Sequence, residues 1–289
     1  MSMTGNMRDK TVLVTGGNKG IGYETARGLA AQGATVITVG RDASRGASAV
    51  AGLSQHTGNT KVSFLQVDLS SLSEVRRLAT HITAHYSHLH VLVNNAGGTN
   101  DQRIVTADGL EATFATNHLS PFLLTNLLLP VLTASAHARI VNVNSLQHRS
   151  GQLDFADLQE ESGYERMRAY RQAKLANLFF TYELARRLSG TNVTVNAADP
   201  LGTYQSAKAT ASSLPRAIRL IIPLFSRIAT PERAARSSIY LASSLDVEGI
   251  TGKYVNFRKK IVRSSLASYD EAMAQRLWEV STELAGLRN

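Results

Sequence analysis

Apolar residues fall into two alternating patterns along this chain. Short runs rich in Val, Ile and Thr, such as Thr11 to Thr15 and Thr35 to Val39, are followed by longer stretches in which apolar side chains return every three or four residues. The first pattern marks strands buried on both faces and the second marks helices that bury one stripe. Their alternation predicts a parallel sheet joined by crossover helices. Further strands are expected at Lys61 to Val67, His90 to Val93, Arg139 to Asn144, Asn192 to Ala197 and, from a weaker pattern, Tyr254 to Asn256. The expected fold is therefore α/β, a Rossmann-type doubly wound sheet of about seven parallel strands with helices on both faces.

Helix ends are legible too. Ser71-Leu72-Ser73-Glu74 has capping-box spacing, and Leu72, Val75, Leu78, Ala79 and Ile82 then share one face. Thr230-Pro231-Glu232 places a capping hydroxyl, a proline at the first helical position and an acid in the first turn, so a helix to about Ser243 is expected. Because no linker, repeat or low-complexity tract divides the chain, residues 1–289 are expected to form one domain, with residues 1–10 as a flexible polar lead.

Composition narrows the function. With 43% hydrophobic and 18% charged residues the chain has the make-up of a globular domain. It contains no Cys, which excludes disulfides, thiolate catalysis and Cys-ligated metal centres and agrees with a cytoplasmic location. No apolar run approaches the roughly 20 residues of a bilayer span, so no transmembrane anchor is expected. The net charge of +9 comes without a dense basic run, which reads as solubility rather than nucleic-acid binding.

The first expected strand runs into Gly16-Gly17-Asn18-Lys19-Gly20-Ile21-Gly22, after which helical spacing begins. Glycines at such a turn let backbone approach a pyrophosphate, and the helix N-terminus offers unpaired N–H groups. A tight turn without ligand is the alternative. At the end of the second strand, Val39-Gly40-Arg41 supplies no acid for a ribose hydroxyl but does supply a cation. Arg41 suits a 2′-phosphate and Lys19 adds a second charge, which favours NADP(H) over NAD. Asp42 is read as a helix cap.

Several separated motifs resemble the short-chain dehydrogenase/reductase family. Gly16 with Gly20-Ile21-Gly22 resembles its cofactor loop, Asp68-Leu69 its adenine-side acid, and Asn94-Asn95-Ala96-Gly97 the loop after its fourth strand. In that pattern Asn94 braces the sheet while Ala96 and Gly97 allow close approach to the cofactor. Asn117, Ser145, Tyr170 and Lys174 resemble its catalytic tetrad. The resemblance implies cofactor contacts at Gly16, Asn18, Lys19, Gly20, Ile21, Gly22, Arg41, Asp68, Leu69, Asn95, Ala96, Gly97, Tyr170, Lys174, Pro200 and Thr203. It is similar in particular to the retinol dehydrogenase-like branch, through Asn117 to Thr125, Asp157-Leu158, Leu277-Trp278-Glu279 and the long interval from Ser145 to Tyr170.

Chemistry agrees with that pattern. Hydride reduction of a carbonyl needs an acid for the developing alkoxide, and a phenol needs a nearby cation to bring its pKa towards neutrality. Tyr170 and Lys174 lie one helical turn apart, so Lys174 is expected to stabilise the phenolate. Ser145 would position the substrate oxygen, and Asn117, by the resemblance, would hold a water that links Lys174 to solvent. Tyr164 competes as a phenol but has Arg168, not Lys, four residues on. The eight histidines lack ligand spacing, and no metal site is expected.

Two stretches depart from the family pattern. After the sixth strand, Leu201 stands where the family has glycine and Gln205 where it has Thr, while Thr203 keeps its place. Asn144 replaces the serine that commonly precedes the catalytic one, and is read as tolerated. Residues 203–229 are expected to form an apolar substrate lid; for 207–228, core packing and a peripheral membrane face are the other readings. The sequence thus points to an NADP(H)-dependent carbonyl reductase or alcohol dehydrogenase acting on a hydrophobic small molecule. The rival reading is an NADP(H)-binding sensor without turnover, and a homodimer is possible by family habit.

Overall fold

The computed structural model describes residues 6–200 and 230–287. Its sheet has eight strands in the order β3-β2-β1-β4-β5-β6-β7-β8. These are β1 Thr11–Thr15, β2 Thr35–Gly40, β3 Val62–Gln66, β4 Val91–Asn94, β5 Ala138–Val143, β6 Val193–Ala198, β7 Lys253–Val255 and β8 Ile261–Val262. All neighbours pair in parallel except β7 and β8, where Val255 faces Ile261 across an antiparallel register.

The seven expected strands are present with ends shifted by a residue or two, and β8 is the addition. It was missed because two residues carry no periodicity. The turn from β7 places Lys259, at positive φ, and Lys260 beside it. Short length and flanking charge suit an edge strand, since both discourage further pairing.

Helices cover both faces. On one side lie α1 Gly20–Ala30 and α2 Ala43–Thr57, followed late in the chain by α7 Pro231–Ala234 and α8 Arg236–Ser243. On the other lie α3 Leu72–His85, α4 Ala112–Phe114, α5 Ser120–Thr133, α6 Arg166–Arg187 and α9 Glu271–Leu284. The core is correspondingly double: Val12, Val14, Val36 and Val93 point to the first side, and Leu13, Ile37, Leu92 and Ile140 to the second. This is the alternation a doubly buried parallel sheet requires.

Local signals act as read. Ser71 caps α3 by accepting from the Glu74 N–H, and Asp42 caps α2 by accepting from the Arg45 N–H. Thr230 caps α7, but the expected single helix is broken at Ala235 into α7 and α8. The polar lead ends earlier than expected. Met7 is buried in the first core and its N–H donates to the Gln32 carbonyl at 3.1 Å, so residues 6–10 are held to the domain.

The chain runs β1, β2, β3 to one side and then crosses to β4 on the other side of β1. The loops after β1 and β4 therefore diverge at the C-terminal ends of neighbouring strands, which is where doubly wound sheets bind ligands.

Candidate active site

The glycine turn is locked to the strands around it. The N–H groups of Gly16 and Gly17 donate to the Val39 carbonyl at 2.8 and 3.3 Å, tying the turn to the end of β2. Gly22 sits so close to the turn that a Cβ there would stand 2.2 Å from the Gly16 carbonyl oxygen, a clash no L side chain escapes. Gly20 has φ +55, and nothing lies within 4 Å of where its Cβ would be. The first turn of α1 carries no acid, and no side chain at its N-cap, Lys19, caps its N–H groups. An open, uncapped N-terminus reached through glycines fits a pyrophosphate.

On the β4 side, Thr15 Oγ1 accepts from the N–H groups of Asn95 and Ala96 at 2.9 and 3.0 Å, and Asn95 Nδ2 donates to the Thr15 carbonyl at 2.9 Å. The two loops are thereby fixed to each other. Asn94 braces the sheet as expected, its Nδ2 donating to Thr125 Oγ1 and Asn142 Oδ1 at 3.0 and 2.9 Å.

At the far end, Asn18 packs over Gly40, where a Cβ would come within 2.8 Å of its amide nitrogen. This contact brings the turn carrying Lys19 against the strand end that leads into Arg41. Both cations are exposed. Gln66 Nε2 holds the Arg41 carbonyl at 3.1 Å, while Asp42 is engaged with Arg45. Asp68 shapes its own turn, its Oδ1 accepting from the Ser70 N–H and hydroxyl, and Leu69 is buried beneath it. The strand-end chemistry around Arg41 is cationic, which suits a phosphate on the ribose better than a free hydroxyl.

The four expected catalytic residues come from three elements. Asn117 lies in a π-helical turn, Ala115–Leu119, inserted between α4 and α5. Such turns add a residue to the helical register and often occur at functional sites. Its side chain is only 1% exposed. Asn117 Nδ2 donates to the Gly98 and Thr113 carbonyls at 2.9 and 2.7 Å, and Oδ1 accepts from the Gly98 N–H at 3.2 Å. Gly97 leaves room for this lock, since a Cβ there would stand 2.4 Å from Asn117 Oδ1 and 3.6 Å from Lys174 Nζ. Asn117 is thus beside Lys174, but its amide is committed to the loop.

Ser145 follows β5 and Tyr170 and Lys174 sit in α6. The Ser145 hydroxyl interacts with the Tyr170 phenol and favours its ionisation. Lys174 Nζ lies 5.5 Å from the centre of the Tyr170 ring and donates to the Val143 carbonyl at 3.1 Å. Lys174 is 4% exposed, and burial pushes its pKa down to about 8.

The pKa of Tyr170 differs from expectation. Burial, reinforced by the negative charge of Asp199 and only partly opposed by Ser145, raises it above the ordinary phenol value. The sequence shows a cation one turn away but not the desolvation, which here is the larger effect.

Two nearby groups escaped sequence reasoning. His148, set aside there with the other histidines, lies on the 3₁₀ turn Leu146–Ser150. Its Nε2 accepts from the Ser265 N–H at 3.1 Å, so Nδ1 carries the proton and donates to the Ser145 carbonyl at 2.7 Å. Asp199, just before Pro200 at the end of β6, is 2% exposed, and burial pushes its carboxyl up to about 6. The only sequence signal for either is proximity to a motif.

The other candidates are accounted for. Tyr164 donates to the Asn100 carbonyl at 2.8 Å, and Arg168 pairs with Glu160. His118 is buried, with Nε2 2.7 Å from Ser281 Oγ, and burial pushes its pKa down to about 3. Among the described residues no three His, Asp or Glu side chains gather as metal ligands, and no helix is long and apolar enough to cross a membrane. Pro200 is partly buried; Leu201, Thr203, Gln205 and the expected lid, residues 203–229, lie outside the described residues.

Sheet order, strand-end loops and a Ser–Tyr–Lys cluster define a Rossmann-type oxidoreductase. Residues 10–215 match the family model described as short chain dehydrogenase, and the chain belongs to that family. It is 43% identical over 280 residues to human retinol dehydrogenase 12, covering 96% of this chain and 87% of that protein. To human retinol dehydrogenase 11 it is 42% identical over 278 residues, covering 96% and 86%. Among solved structures, an uncharacterised protein from Mycobacterium paratuberculosis superposes with TM-score 0.79 at 33% identity, covering 99% of this chain and 98% of that one. The Pseudomonas aeruginosa RhlG/NADP active-site complex matches with TM-score 0.70 at 29% identity, covering 87% and 95%.

Proposed function

We propose that this protein is an NADP(H)-dependent oxidoreductase of the carbonyl reductase or alcohol dehydrogenase type, acting on a hydrophobic small molecule in the cytoplasm. The observation that carries the reading is Lys174 Nζ 5.5 Å from the centre of the Tyr170 ring on one turn of α6, with Ser145 at the end of β5 and the open glycine turn at the end of β1. The retinol dehydrogenase relatives support an apolar alcohol or carbonyl, and the NADP complex of RhlG supports the cofactor.

Gly16, Asn18, Gly20, Ile21 and Gly22 would cradle the pyrophosphate, and Lys19 and Arg41 the 2′-phosphate. Asp68 and Leu69 would border the adenine, and Asn95, Ala96 and Gly97 the central part of the dinucleotide, with Pro200 and Thr203 near the nicotinamide. When bound, the nicotinamide supplies or accepts the hydride. Ser145 donates a hydrogen bond to the substrate oxygen and holds it beside the phenol. Tyr170 gives its proton to that oxygen as negative charge develops. Lys174 keeps a positive charge one turn away, and Asn117 holds the Gly97–Gly98 loop against it. A phenol whose pKa is raised is protonated throughout the neutral range, which is the state that reduction of a carbonyl uses.

The test is a titration of the purified protein with NADPH and NADH, followed by a panel of apolar aldehydes and ketones in which NADPH oxidation is matched to product. NADPH consumed in proportion to alcohol formed supports the proposal. No NADPH binding, or tight binding with no turnover across the panel, counts against it.

A further inference from the structure

Asn144 stands where the similar branch commonly has serine, directly before Ser145. Its side chain is 2% exposed and makes hydrogen bonds through both ends. Oδ1 accepts from the Ser145 N–H at 2.7 Å, and Nδ2 donates to the main-chain carbonyl of Lys174 at 3.1 Å. The Asn144 N–H itself donates to the Ala198 carbonyl at 2.7 Å, so the backbone from which the side chain reaches is held by β6.

Lys174 reciprocates from its other end, with Nζ donating to the Val143 carbonyl at 3.1 Å. Two bonds thus cross between the same pieces of chain. The lysine's ammonium binds the residue before Asn144, and the lysine's carbonyl is bound by Asn144. The Lys174 carbonyl lies inside a long helix, and carbonyl oxygen has a second lone pair available for such a bond.

We infer that Asn144 is a positioning residue that fixes the separation between Ser145 and the α6 turn carrying Tyr170 and Lys174. The inference rests on the function proposed above only in making that separation matter for proton transfer; the clamp itself is geometry. A serine here offers one oxygen a bond nearer the backbone, and one atom cannot occupy both places that Oδ1 and Nδ2 fill. Asparagine supplies an acceptor for one partner and a donor for the other, held apart by a planar amide. Burial makes both bonds consequential, because losing one partner leaves a desolvated N–H or carbonyl group.

Asn144→Ala and Asn144→Ser test the inference against Asn126→Ala. Asn126 also has a side-chain bond to a backbone carbonyl, that of Phe122, but sits in α5 outside the site. Two readouts are needed. In turnover, both Asn144 variants are expected to lose kcat by about tenfold or more while the KM for NADPH stays within about twofold. Asn126→Ala is expected to change neither. Independently of turnover, ¹³Cε-lysine NMR, with Lys174 assigned through Lys174→Arg, follows the Lys174 titration in the intact protein. Loosening its helix turn is expected to move that titration up by about half a pH unit or more in both Asn144 variants, and not in Asn126→Ala.

Unchanged kcat and unchanged Lys174 titration in Asn144→Ser overturn the inference, as does an equal response in Asn126→Ala. If Asn144→Ala fails to fold, Asn144→Ser carries the test. Should the wild type turn over no carbonyl, the function proposed above fails while the NMR titration still decides the clamp.

Discussion

Lys174 Nζ stands 5.5 Å from the centre of the Tyr170 ring, one helical turn along α6, and donates to the Val143 carbonyl. The cation and the phenol are thus neighbours, Lys174 buried and Tyr170 half-buried, and removal from solvent penalises the charge each would carry. It lowers the pKa of Lys174 to about 8 and raises that of Tyr170. The site favours a protonated phenol beside a lysine that titrates close to neutrality.

The pH dependence of carbonyl reduction follows. Below about pH 8 Lys174 is cationic and Tyr170 protonated, so kcat/KM for NADPH should be level there and fall as pH rises through about 8. Lys174→Met should be slower and lack that limb. Its stability should change in the opposite sense: the cost of burying the ammonium is fully present below about 8 and is relieved between that value and 10.5. Thermal melts should therefore show the variant more stable than wild type at pH 7, with the gain shrinking towards pH 10.

Asp199 offers a second titration. Its folded pKa is raised from 3.8 to about 6, so its charge destabilises the fold above about 6, and that cost disappears as pH falls towards 3.8. Asp199→Asn should gain about 1–3 kcal/mol at pH 7.5 and nothing at pH 3.5. Because the carboxylate opposes phenolate formation at Tyr170, alcohol oxidation by the variant should also begin at lower pH. Chemical denaturation at the two pH values, with an oxidation pH profile, checks both.

On the proposed function, Arg41 sets the choice of cofactor. A charge-assisted pair with a 2′-phosphate is worth about 1.5–3 kcal/mol, so Arg41→Ala should weaken NADPH by roughly 10- to 100-fold. NADH lacks that phosphate and should change by less than about twofold. Calorimetric titration with both nucleotides distinguishes this from a general loss of binding.

Gly22→Ala probes the turn. A methyl 2.2 Å from the Gly16 carbonyl oxygen must displace backbone, so both nucleotides should bind more weakly and the melting temperature should fall. Equal binding and stability to wild type would mean the turn is looser than its hydrogen bonds imply.

How far the sequence could be read depended on the kind of signal. Strands β1 and β2 are runs of β-branched residues, and Ser71, Asp42 and Thr230 cap through nearest neighbours, so local chemistry announces them. The break at Ala235 and the two-residue β8 depend on tertiary packing and leave no periodic trace. The motif positions of Ser145, Tyr170 and Lys174 were legible, but the direction of the Tyr170 pKa was not, because desolvation is a property of the folded surroundings. Asn144 read as a tolerated departure. Its second bond is to a carbonyl 30 residues away, a contact invisible in local spacing.

The central claim is that Tyr170 gives the proton that accompanies hydride transfer. The most direct test is a single-turnover experiment with Tyr170→Phe, using NADPH and the best carbonyl found for wild type and following nucleotide absorbance and fluorescence together. NADPH should bind within about twofold of wild type while hydride transfer falls by about 10²-fold or more. Hydride transfer at the wild-type rate with NADPH bound would contradict the account.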